Sequence, residues 1–298
     1  MKDGFAPAAG MGAEEALRLM AGAFRAAGLA TPGLDARVLL LDALQIDHAA
    51  LIAAPERALT EDEADRLAAM AMRRLSGEPV SRIIGRREFY GRNFRITPDV
   101  LDPRPDTETL VETALEIVRR HHPSGAGVLL LDAGCGSGAI IVTLLAELPE
   151  AHGVALDISP AALAVTIGNA RMHDVQDRLH AVCGSWLDPF AAEAFGLIVS
   201  NPPYIPDADM AELDREVVEH DPHLALAGGS DGLDAFRTLA RRAVSALRKG
   251  GHLIVETGMA QAEAVRGIFE DAGLAGADGA SIRHDLAGVA RVVVAKRD

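Results

Sequence analysis

Asp132-Ala133-Gly134-Cys135-Gly136-Ser137-Gly138 is the stretch whose reading decides the fold. Before it runs Val128-Leu129-Leu130-Leu131, short and apolar enough for a buried strand, and after it Ala139-Ile140-Ile141-Val142 opens a helical run. Three glycines in five residues at a strand-to-helix junction permit a tight turn and bring backbone N–H groups close to a ligand. A purely structural turn is the poorer explanation, because glycine weakens a helix start. Gly134-x-Gly136-x-x-Ala139 also meets the permissive dinucleotide fingerprint, so on this stretch alone a nicotinamide cofactor stays open. Asp157 ends the next strand, where a carboxylate can accept from both hydroxyls of a ribose; either cofactor class would use it.

Outward from residue 127 strand and helix alternate, which predicts a mostly parallel sheet covered on both faces. The expected strands are 128–133, 153–157, 179–183, 195–200, 252–257, 281–285 and 291–296. The clearest helices between them are 140–148, 160–173, 233–247 and 261–272, with Gly250-Gly251 parting the longest helix from the next strand. Val199-Ser200-Asn201-Pro202-Pro203-Tyr204-Ile205 closes the fourth strand. Neither proline can donate to a ladder, and both stiffen the chain, so carbonyls and the Asn201 oxygen can be held toward a pocket. That array suits a planar –NH2 group, which offers two in-plane hydrogens, and the Tyr204 ring can lie against its flat face. In isolation the tetrapeptide is also an ordinary turn.

Upstream, residues 14–28, 34–44 and 60–75 carry helical periodicity, and Thr60-Glu61-Asp62-Glu63 has the form of a capping box. Residues 79–105 read as a hairpin linking two domains, crowded with Arg82, Arg86, Arg87, Arg92 and Arg95. Those arginines fit a solvated face or a docking patch equally well. In Pro103-Arg104-Pro105-Asp106-Thr107-Glu108, Asp106 or Thr107 is placed to cap a helix reaching Arg120, while Arg104 between two prolines suggests the edge of a ligand pocket.

At 298 residues and 49% hydrophobic, the chain can bury cores for two domains. Its 43 acidic against 29 basic side chains, net −14, oppose a broad nucleic-acid footprint. No apolar run reaches the roughly 18 residues of a membrane span, and the start MKDGFAPAAGMG lacks the basic-then-apolar pattern of a signal peptide. Cys135 and Cys183 make neither a disulfide framework nor a metal-ligand cluster. The expectation is a cytoplasmic monomer with no membrane contact and no metal.

DAGCGSG, Asp157 and NPPY, in that order, resemble the S-adenosylmethionine-dependent methyltransferase fold: α/β, a Rossmann-like seven-stranded sheet, here preceded by a small helical domain and a β-hairpin. The segments GEPVSRIIGRREFYG, TPDVLDPRPDTETLVE, LDAGCGSGAI, IVSNPPYIP and DPHLALAGGSDGLDAFRTL are similar, within that class, to the HemK/PrmC family. The resemblance covers nearly the whole chain and implies methylation of a release-factor glutamine, at N5 of the Gly-Gly-Gln motif. It implies domains 1–78 (substrate recognition), 79–104 (hairpin linker) and 105–298 (catalysis). Gly134, Cys135, Gly136, Ser137 and Gly138 would wrap the methionine part of the cofactor and Asp157 its ribose, with Trp186 near the adenine or an ordinary core aromatic. Asn201, Pro202, Pro203 and Tyr204 would hold the glutamine amide beside the cofactor. The chain departs from the family pattern at Ser185, usually acidic, at Asp102, usually aliphatic, and at Val289-Ala290, usually Asn-Asp. Two readings compete: an adenine- or cytosine-amino methyltransferase, which shares NPPY but must extrude a base, and a silent binding module docking through the arginine-rich hairpin.

Overall fold

The computed structural model describes residues 7–276 and 282–298; the first six residues and Ser281, the first residue of one expected strand, lie outside the described residues. The chain divides into two compact units, one ending at Gly85 and the other running from Arg86 to Asp298.

The first unit is helical: α1 Ala13–Ala26, α2 Pro32–Leu44, α3 His48–Ala53, α4 Glu61–Leu75 and α5 Val80–Ile84. Met20, Phe24, Leu39, Leu40 and Leu67 fill its core. The capping box forms, Thr60 accepting from the Glu63 N–H and the Glu63 carboxylate from the Thr60 N–H. Arg74 Nε and Asp35 Oδ2 make a buried ion pair at 2.7 Å that ties α4 to α2. At six and five residues, α3 and α5 are too short to show a helical period, which is why periodicity did not reveal them.

The second unit opens with a hairpin, β1 Arg86–Phe89 and β2 Arg92–Arg95, paired antiparallel. Then come α6 Glu108–His121, β3 Leu129–Ala133, α7 Ala139–Glu147, β4 His152–Asp157, α8 Pro160–Met172, β5 Leu179–Cys183 and β6 Phe195–Ser200. After them follow α9 Arg215–His220, α10 Asp234–Ala246, β7 Leu247–Glu256, α11 Ala262–Asp271, β8 Ala275–Gly276, β9 Ile282–His284 and β10 Ala290–Lys296. Among the described residues one sheet of eight strands runs β5-β4-β3-β6-β7-β10-β8, with β9 also on β10. The strands from β5 to β7 are parallel, and β10 is antiparallel to its neighbours. All seven expected strands are present; the two-residue β8 is an addition.

Alternate residues of β3 explain its continuous apolar run. Leu130 packs into a core with Leu110 and Leu144 from α6 and α7, while Leu131 packs into the core formed with Phe236 and Phe269 from α10 and α11. Two local expectations change. Gly250-Gly251 lies inside β7 rather than before a strand: Phe195 pairs with Leu247, then Leu197 with His252, so the glycines sit in a bulge. Thr107 adopts helical φ/ψ (φ −64°), because the 3-10 turn Pro105–Thr107 precedes α6, and it makes no cap hydrogen bond.

Two hairpin arginines find partners inside the unit. Arg92 Nη2 lies 2.7 Å from Glu147, and Arg87 Nε lies 3.8 Å from Asp102, the buried residue that departs from the family pattern. Phe89 and Phe94 are buried in the same core as Leu110.

Candidate active site

Strand order reverses between β3 and β6, and crevices beyond the carboxyl ends of such a pair are where α/β sheets bind ligands. The glycine stretch leaves β3 there, and Asn201 to Tyr204 leave β6. Ser200 Oγ donates to the Ala133 carbonyl at 2.6 Å and pins the two strand ends together.

Helix α8 clamps the glycine stretch from behind. Thr166 Oγ1 donates to the Gly136 carbonyl at 2.9 Å, and Asn169 Nδ2 donates to Ser137 O at 2.8 Å and to Arg95 O at 3.0 Å. One buried amide thereby joins the hairpin to the loop. Gly138 has φ +78°, and a Cβ there would meet Thr166 Cγ2 at 2.7 Å, so only glycine fits. Gly134 and Gly136 face the other way, with nothing within 4 Å of where a Cβ would stand. Cys135 is buried, and burial pushes its thiol pKa up, so the residue offers backbone rather than a nucleophile.

Asp157 closes β4 with both oxygens engaged: Oδ2 accepts from the Gly136 N–H and Oδ1 from the Ser159 N–H, each at 2.9 Å. Each oxygen keeps a second lone pair for a ligand hydroxyl. Asp132 is fully buried one strand away, and burial pushes its carboxyl up to about 7. Its Oδ2 accepts from the Ile141 N–H at 3.3 Å, and Oδ1 has no hydrogen-bond partner.

Around Asn201 the structure gathers residues from three distant segments. Asn201 Nδ2 donates to Thr107 Oγ1 at 3.2 Å, which brings the turn before α6 against the end of β6. Glu256, last residue of β7, stands beside Asn201 because Ser200 pairs with Val255. It is 2% exposed, and its Oε2 has no hydrogen-bond partner. Burial pushes its carboxyl up to about 7 against the opposing pull of Thr107 and Asn201 hydrogen bonds and of Arg291. Arg291 of β10 pairs with Asp106 at 2.9 Å and with Asp285 at 3.2 Å. Asp285 Oδ1 also accepts from the Val289 N–H at 2.9 Å, so the departure at Val289-Ala290 still leaves a turn that holds Arg291. Arg104 Nη2 reaches Asp221 at 2.7 Å.

Tyr204 is half-buried, and burial first, then Glu256, pushes its phenol up to about 12, so it stays neutral. Its carbonyl accepts from Gln261 Nε2 at 2.9 Å. Gly228 backs this loop: a Cβ there would lie 2.9 Å from the Pro203 carbonyl oxygen and the Tyr204 carbonyl carbon. Trp186 lies past β5 with φ +47°, unusual for a bulky residue, and packs toward the core of α10 and α11; Ser185 beside it is exposed.

Sequence reading missed Glu256, Thr107 as a partner of Asn201, and Gln261. For Glu256 the signal was present: one carboxylate follows the apolar run Leu253-Ile254-Val255 at the carboxyl end of a strand, where ligands bind. A cavity of about 420 Å³ at the opposite edge of the sheet, lined by His122, Val128, Arg248 and His252, holds none of these residues.

The chain is similar to known proteins over most of its length. Residues 15–85 match the family model described as PrmC N-terminal domain, and residues 111–230 match the Methyltransferase small domain. The release factor glutamine methyltransferase of Bradyrhizobium diazoefficiens is 47% identical over 291 residues, covering 98% of this chain and 97% of that protein. Its namesake from Cereibacter sphaeroides is 46% identical, covering 96% and 99%. A solved methyltransferase from Pyrococcus furiosus is similar at 13% identity with a TM-score of 0.49, covering 70% of this chain and 90% of that one.

Proposed function

Since the chain belongs to the release factor glutamine methyltransferase family, we propose that it methylates N5 of the Gly-Gly-Gln glutamine in peptide chain release factors. It is an S-adenosylmethionine-dependent methyltransferase. The observation that carries the substrate reading is Asn201 at the end of β6, fixed beside the glycine loop and Asp157 at the ends of β3 and β4.

The residues fit the cofactor. Open space beside Gly134 and Gly136 leaves room for its methionine part, and Asp157 keeps lone pairs for two ribose hydroxyls. Trp186 is assigned to the adenine side. When bound, S-adenosylmethionine supplies a methyl group on a positively charged sulfur. An amide nitrogen is a poor nucleophile, because its lone pair is delocalised into the carbonyl. The protein's work is therefore to orient it: the Asn201 oxygen and the Pro202 carbonyl accept the two N–H bonds, and the Tyr204 ring lies against the amide face. These acceptors favour the geometry in which the lone pair leaves conjugation and points along the transfer line. The proton departs to water. Pro203 shapes the loop, which Gly228 allows to pack closely.

We assign residues 1–78 to recognition of the release factor, 79–104 to the hairpin linker, and 105–298 to catalysis. On this reading the enzyme acts in the cytoplasm as a monomer and forms no stable complex with nucleic acid. Among the described residues no helix is long and apolar enough to cross a membrane. A nucleic-acid amino methyltransferase fits less well, since the net charge of −14 offers little to phosphates.

Radiolabelled methyl transfer, with release factor, tRNA, rRNA and DNA offered side by side, tests the assignment. Release factor alone should be labelled, and labelling confined to nucleic acid would overturn it. Within that assay Asn201→Ala should lower kcat on the order of 10²-fold while cofactor affinity is kept. Asn201→Asp should fail as well, since it sets a second carboxylate against Glu256; near-parental turnover would reduce Asn201 to a turn former.

A further inference from the structure

A primary amide has two faces of opposite use, an oxygen that accepts and a nitrogen that donates. Asn201 is useful to a substrate –NH2 only if its oxygen faces that group. The two orientations have nearly the same shape, so packing alone does not choose between them; hydrogen-bond partners do. Behind Asn201 stand Thr107, 4% exposed, and Glu256, 2% exposed. Asn201 Nδ2 donates to Thr107 Oγ1 at 3.2 Å. We propose that Thr107 and Glu256 are positioning residues that fix the Asn201 amide with its nitrogen inward and its oxygen toward the substrate. This rests on the role given to Asn201 above.

The polarity follows from donor and acceptor counts. An ionised Glu256 only accepts, so it draws the Thr107 hydroxyl proton and repels the Asn201 oxygen. With its proton committed to Glu256, Thr107 Oγ1 is left to accept from Asn201. Both partners therefore demand the amide nitrogen. A protonated Glu256 can donate instead, and the whole chain can then run in reverse, which turns the Asn201 nitrogen toward the substrate and sets donor against donor.

Glu256 is buried and its Oε2 has no hydrogen-bond partner, an arrangement that costs stability and gives packing nothing a glutamine would not give. The other charged or titratable groups acting on it are Arg291 on β10, Asp106 in the turn before α6, and Tyr204 after β6. Arg291 favours the ionised form and Asp106 opposes it. With its carboxyl raised to about 7, Glu256 favours folding while protonated, and that contribution is lost as pH rises through about 7. Replacing it by glutamine should therefore leave the protein relatively more stable on the alkaline side.

Full-length Thr107→Val, Thr107→Ser, Glu256→Gln and parent should be compared on release factor, with cofactor affinity measured by calorimetry. Thr107→Val and Glu256→Gln should lose about tenfold or more in kcat while cofactor Kd stays within about twofold, and Thr107→Ser should restore turnover. In the parent, kcat should fall on acidification with an apparent pKa above the ordinary carboxylate range, and Glu256→Gln should lack that limb. A substrate-independent arm follows the Asn201 side-chain amide by 15N NMR in the cofactor-bound protein, assigned by its loss in Asn201→Ala. Its shift should titrate in the parent and not in Glu256→Gln. Parental kcat in Thr107→Val and Glu256→Gln, or failure of Thr107→Ser to rescue, would overturn the proposal. If the parent methylates no release factor, the functional assignment falls and the NMR titration alone decides this one, an invariant Asn201 signal counting against it. Loss of folding in Thr107→Val leaves Glu256→Gln and the titration to decide.

Discussion

At Asp157 two backbone N–H groups already point at the carboxylate, one at each oxygen. Asp157→Ala should weaken S-adenosylmethionine binding by an amount set by charge-assisted hydrogen bonds to a diol, about 1.5–3 kcal/mol, or about tenfold to somewhat over a hundredfold in Kd. Asp157→Asn should be nearly as damaging despite its shape, because its –NH2 must face either Gly136 N–H or Ser159 N–H, donor against donor. Calorimetry on both variants checks this, and an Asp157→Asn variant that binds like the parent would show that shape rather than acceptor count governs the position. At this scale the sequence was informative where a residue type has one physical use, as a carboxylate at a strand end does. It was uninformative about Thr107, whose hydroxyl caps a helix or closes a network with equal ease. Only the 3-10 turn ahead of α6 decides which.

Among the elements, α8 is the one on which the glycine loop depends. Its Thr166 and Asn169 bond the loop, and Thr166 comes so close only because Gly138 lacks a side chain. Gly138→Ala should destabilise the protein by about 1–3 kcal/mol, from the positive φ and from the Cβ pressed on Thr166. Adding Thr166→Ser removes the nearest methyl group while keeping the hydroxyl bond to Gly136, so it should recover part of that loss and not all of it. Urea unfolding of the parent, Gly138→Ala, Thr166→Ser and the double variant measures both shares. If Thr166→Ser recovers nothing, the cost is entirely in the backbone. The central strands β3 and β6 were readable because strands buried on both faces are largely apolar. What periodicity could not give were pieces shorter than a period, such as α3, α5 and β8, and the bulge at Gly250-Gly251, where a turn signature sits within a strand.

The whole molecule comprises two units whose boundary at Gly85 leaves the hairpin with the second. The sequence reads residues 79–104 as a hairpin linker and leaves its arginines open between a solvated face and a docking patch. The hairpin also packs within the second unit: Phe89 and Phe94 are buried in the core beside α6, and Asn169 bonds its backbone. Two truncations follow. A chain starting at Arg86 should fold, bind S-adenosylmethionine and lose methylation of intact release factor. A chain starting at Thr97 should be far less stable, since each lost phenylalanine is worth about 3–5 kcal/mol in a core. Circular dichroism, calorimetry and the methylation assay separate these outcomes. Full activity of the chain starting at Arg86 would remove the helical unit from substrate recognition, and equal stability of the two fragments would show that the hairpin adds nothing to the core beside α6.

The ion pair between Asp106 and Arg291 joins residues 185 positions apart in the chain, and Thr107, Asn201 and Glu256 meet beside it. Contacts so distant in sequence form late, after the loops between them have closed. During synthesis the glycine loop and Asn201 emerge well before β10 does, so a partly made chain can shape the proposed cofactor site before Arg291 closes the network beside Asn201. Turnover then becomes a report of completed folding. An intermediate that has collapsed around the parallel strands should bind cofactor without performing chemistry, and refolding followed by both signals should show binding return ahead of activity.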